Sequence, residues 1–143
     1  MKKPLSITKD EKTGFKINQK LIQISLIVLA IIGASCYWLD DRPEVYQTLW
    51  LAAAAWYVVI SMSMFLILNK TRLGYFMAGI LSWITLAFLL VDNFHVVFDT
   101  SLIASQPNEL MTIRNFIGIL FASITVVTSH NLFHKTKLSV ESE

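Results

Sequence analysis

Asp92, His95 and Asp99 are spaced by three and four residues, so a helix running through them would carry all three on one face. A carboxylate beside a histidine can relay a proton, sense pH or hold a divalent cation. On that basis Asp92 is the candidate proton or cation carrier and His95 its pH-tunable neighbour. Asp99, Asp40, Asp41 and Glu44 would then form an acidic vestibule. The competing expectation ends the helix at Asp92-Asn93 and leaves His95 and Asp99 in solvated turns.

His130 and His134 form a second pair, one helical turn apart and next to Lys135. They could ligate a metal with help from another chain, and are read instead as residues of the membrane–water interface. Two histidines on one helix face cannot clamp both sides of a haem. Cys36 is the single cysteine, which excludes an internal disulfide and a CxxC redox pair. No nucleophile–base pair and no glycine-rich phosphate loop is present. The expectation is a non-enzymatic chain with no metal and no cofactor. A membrane redox enzyme is the least favoured alternative, suggested only by the three histidines.

The elements that would position these residues are apolar and long. Of 143 residues, 55% are hydrophobic and only 15% charged, and the mean hydropathy is +0.57. Charge is absent from Leu21 to Leu39, Val45 to Leu68, Leu73 to Val91 and Asn115 to Ser129. A helix in contact with water needs a polar face, and these runs have none. Nineteen helical residues rise roughly 28 Å, close to the thickness of a bilayer's hydrocarbon core. The predicted fold is therefore all-α, a polytopic membrane protein built as an antiparallel bundle of four transmembrane helices. The spans are placed at about 21–39, 46–68, 73–92 and 112–131, within a 21–133 membrane domain. A basic tail, 1–20, precedes it and a short tail, 134–143, follows. Pro43 and Pro107 fall in the expected turns. Gly33-Ala34-Ser35-Cys36 faintly resembles a lipoprotein cleavage site, but the apolar run continues through Leu39, so a retained helix is expected.

Basic residues set the orientation. Lys2, Lys3, Lys9, Lys12, Lys16, Lys20, Lys70, Arg72, Lys135 and Lys137 fall on one side of such a bundle, and only Arg42 and Arg114 on the other. Ten against two places both termini in the cytoplasm, and a bacterial inner membrane is the expected location. In the tail, Lys9, Lys12, Lys16 and Lys20 recur at helical spacing. They suit an amphipathic helix that meets lipid headgroups or a cytoplasmic partner. The tail is too short and too poor in aromatics to suggest nucleic acid.

In lipid, helices associate through small and polar residues. Gly74, Ala78, Ser82 and Thr85 make such a stripe on the third helix, and Asp92 prolongs it. Asn115, Gly118, Ala122, Thr125 and Ser129 make one on the fourth. The partner of these stripes could be a helix of the same chain or of another copy. Gln23 and Asn115 are expected to bond between helices, and Trp50, Trp56 and Trp83 to pack inside. The favoured function is a small membrane subunit acting through helix–helix interaction, regulatory, sensing, accessory or immunity-type. Its partners would be the lipid bilayer and either a homo-oligomer or another membrane protein. The alternative is an oligomeric ion, proton or small-molecule channel or transporter that uses Asp92 and His95.

Overall fold

The computed structural model describes residues 9–39, 43–93 and 108–140. They form four helices: α1 (Lys9–Leu39), α2 (Pro43–Leu68), α3 (Arg72–Asn93) and α4 (Glu109–Val140). Each contains a stretch long and apolar enough to cross a membrane, and the described residues contain no strand. Residues 9–20 of the basic tail belong to α1, whose apolar stretch, Thr13–Cys36, begins four residues into the helix. Pro43 opens α2 rather than ending in a turn. The first helical position suits proline, because its missing N–H would have no partner there in any case.

Local chemistry fixes the helix ends. At the end of α2, the Lys70 N–H donates to the Ile67 carbonyl and the Thr71 N–H to the Leu66 carbonyl, with Lys70 at φ 56°. This is a Schellman closure, which satisfies carbonyls that the helix leaves open. Gln19 of α1 supplies a further donor, its side-chain amide reaching the Ile67 carbonyl at 3.0 Å. That bond between helices was expected from Gln23; it comes one turn earlier. Asn108 caps α4, accepting the Met111 N–H at 3.0 Å.

The helices pack in a ring. α4 lies between α3 and α1, α3 between α4 and α2, and the α1–α2 contact that closes the ring is the sparsest. Ile22, Leu26 and Leu29 of α1 meet Ile60 and Ile67 of α2, Tyr75, Ala78 and Leu81 of α3, and Ala122 and Leu132 of α4. Polar residues are sorted inward as well: Ser25, Ser63, Ser82, Asn115 and Thr125 are fully buried. Large apolar residues are sorted outward, among them Ile31, Leu51, Phe65, Ile84 and Leu120. Water would oppose this arrangement and hydrocarbon favours it, since apolar side chains are at home in lipid and polar groups facing it find no partner there. The chain is an integral membrane protein. Trp56 packs between helices, its indole N–H donating to the Thr85 hydroxyl at 2.7 Å. Trp50 and Trp83, expected inside, face outward instead.

Candidate functional site

The stripe that runs up α3 ends in Asp92, and the stripe that runs down α4 begins with Asn115. Because the helices are antiparallel, these two ends lie at the same level. Asp92 is 2% exposed, Arg114 6% and Asn115 0%. The Asn115 amide donates to Asp92 Oδ2 at 2.6 Å. Arg114 donates from Nε and Nη2 to Asn115 Oδ1, at 3.1 and 2.8 Å. Arg114 Nη2 also stands 3.8 Å from the same Asp92 oxygen. Asn115 therefore sits between cation and anion, accepting from one and donating to the other. Such charge-assisted bonds are stronger than neutral ones, and they compensate charges that would otherwise be costly at membrane depth.

Asp92 thus turns into the bundle, one residue before the end of α3 at Asn93. His95, Asp99, Asp40 and Asp41 lie outside the described residues. Arg114 is the member that the sequence does not single out as a site residue, although it falls on the same side as Asp92, as one of two basic residues there. Its signal was its position: it adjoins Asn115 and stands three residues past Met111, which is also buried.

The remaining candidates are distributed through the bundle. Gly74, Ala78, Ser82, Gly118 and Ala122 are all buried against other helices of the same chain. An added Cβ at Gly118 would stand 2.6 Å from Leu89 of α3. Lys16 and Lys20 are exposed on α1, and Lys9 and Lys12 belong to its first turns. His130 and His134 are exposed at the opposite end of the bundle from Asp92, with ring centroids 4.4 Å apart. Among the described residues, no three His, Cys, Asp or Glu side chains converge as a metal site would require. Sequence reasoning passed over Ser25, Ser63 and Tyr75, which are fully buried. Their hydroxyls, like that of Ser82, have no hydrogen-bond partner among the described residues.

The chain matches no protein-family model, no curated protein and no solved structure.

Proposed function

We propose that this protein is a non-enzymatic membrane subunit that acts by helix–helix contact within the bilayer, in a regulatory, sensing, accessory or immunity-type role. The observation that carries this reading is the Asp92–Asn115–Arg114 clamp. It commits the carboxylate at membrane depth to a partner within the chain, which favours a structural over an ion-carrying role. The ten-to-two distribution of basic residues favours cytoplasmic termini in a bacterial inner membrane.

α2 is the helix best suited to outside contact. Only 17% of its apolar stretch is buried, against 28–33% for the other three. Its outward side carries the small residues Ala54 and Ala55 beside Leu51 and Val58. Small residues permit the close backbone approach on which association in lipid depends.

Crosslinking in the native membrane, followed by purification in mild detergent, tests this. The wild-type chain is expected to carry a second copy or another membrane protein. Ala54→Leu/Ala55→Leu, on an exposed face, should fold normally and lose that partner. A chain that stays alone in both settings would overturn the proposal. So would cation or proton flux in proteoliposomes that Asp92→Asn abolishes.

A further inference from the structure

A groove of about 470 Å³ runs between α3 and α4 at the end of the bundle opposite the clamp. Phe76, Ile80 and Trp83 line one wall, and Val127, His130 and His134 the other. Gly79 lies in its floor, where an added Cβ would stand 2.7 Å from Ser129 Oγ, so the two helices approach closely there. The walls are graded along the bilayer normal. Trp83 and Val127 mark the deep, apolar part, and His130 and His134 the mouth. Each wall repeats at helical spacing, so the groove follows the helix axes, as an extended acyl chain would.

The mouth is cationic. Arg72, the first residue of α3, lies over the Phe133 ring with its guanidinium carbon 3.9 Å from the centroid. Phe133 itself lines the groove. Stacking uses the face of the guanidinium and leaves its N–H edge available to an oxygen anion. Lys135 is exposed next to His134, and each imidazole can donate an N–H to a phosphate oxygen. The carboxylates whose side chains are described, Asp92 and Glu109, both lie at the other end of the bundle.

We infer that this groove is a binding site for an anionic phospholipid. Its acyl chain lies along Phe76, Ile80, Trp83 and Val127, and its phosphate meets Arg72, His130, His134 and Lys135. Zwitterionic lipid fits the walls equally well and gains less at the mouth, because its own ammonium opposes the basic cluster. Basic pockets between helices at membrane interfaces recognise anionic headgroups in this way.

Full-length protein in mild detergent, offered equal amounts of phosphatidylglycerol and phosphatidylcholine with the same chains, tests the site by native mass spectrometry of retained lipid. Wild type is expected to retain phosphatidylglycerol preferentially, and Arg72→Gln to lower that preference about fivefold, the usual effect of one basic residue near a headgroup. His134→Gln, at an exposed position that leaves the fold intact, should lower it as well. Val127→Trp, which fills the groove from its outer edge, should reduce retention of the anionic lipid. Lys16→Gln/Lys20→Gln should lower the preference clearly less than Arg72→Gln, because those lysines are exposed on α1 and do not line the groove. Equal retention of the two lipids by wild type would overturn the site. An equal loss in the Lys16/Lys20 variant would reduce it to general attraction between opposite charges. Displacement of the lipid by soluble glycerol phosphate would show an anion site without an acyl-chain groove.

Discussion

Asn115 donates its amide hydrogen to the Asp92 carboxylate at 2.6 Å, and this bond ties the end of α3 to the first turns of α4. The amide does what a direct ion pair would do less well here. Arg114 is 3.8 Å from the carboxylate, too long for a good hydrogen bond, and is instead held by two bonds to Asn115. Charge is relayed through a neutral side chain whose donor and acceptor ends are both used.

Stranding one charge of this clamp is therefore worse than removing both. Asp92→Asn and Arg114→Gln are each expected to lower the unfolding free energy by about 3 kcal/mol, as when one partner of a buried pair is lost. The double variant should recover much of that loss, because neither charge is then left behind. Denaturant titration in detergent, followed by circular dichroism, gives all three values. Single losses that simply add in the double variant would show that the two charges are uncoupled.

The four spans found among the described residues were legible because a span must be apolar nearly all round, and four uncharged runs have no other home in a chain of this length. The inward direction of Asp92 was legible too, from its place at the end of the Ala78-Ser82-Thr85 stripe. Its partner was not. Arg114 falls inside the expected fourth span, about 112–131, but spacing alone does not show that its side chain bonds Asn115 and approaches Asp92. Trp50 and Trp83 were misplaced for a related reason: both are large and apolar enough for a core, and only the ring order of the helices turns them to lipid.

Lys70 holds a left-handed backbone conformation, φ 56°, at the position of a Schellman closure that glycine usually fills. A side chain there costs roughly 1 kcal/mol. Lys70→Gly should raise stability by about that amount, with the α2–α3 turn otherwise unchanged. Lys70→Val should lower it, since branching at Cβ worsens the clash. Thermal unfolding of the three proteins in one detergent decides the point, and a glycine variant less stable than wild type would refute the assigned turn geometry.

Trp56 and Thr85 tie α2 to α3 by a 2.7 Å bond, and the Thr85 hydroxyl in turn donates to the Leu81 carbonyl. Trp56→Phe removes the donor and keeps most of the apolar volume. Hydrogen bonds between membrane helices average about 0.6 kcal/mol, so a loss near that size is expected. Trp56→Phe and Thr85→Val combined should cost little more than the worse of the two alone. Full additivity in a double-mutant cycle would indicate that the two side chains do not bond.

Gly74 and Gly118 both sit in close helix contacts, yet replacing each by alanine should have different results. A Cβ on Gly74 meets the backbone of α2, 2.8 Å from the Ile67 nitrogen and the Leu66 carbonyl carbon. Backbone cannot move aside without disturbing the closure that ends α2, so Gly74→Ala should cost about 2 kcal/mol, within the range for overpacking. A Cβ on Gly118 meets Leu89 Cδ1 at 2.6 Å, the far end of a side chain that can change rotamer. Alanine also favours a helix interior over glycine by about 1 kcal/mol, and Gly118 stands well inside α4, where that gain applies in full. Gly74 is the third residue of α3 and gains less. Gly118→Ala is thus expected to be near neutral while Gly74→Ala is clearly destabilised. Unfolding midpoints in the same detergent separate the two, and the reverse order would mean that the α2–α3 turn yields more readily than the Leu89 side chain.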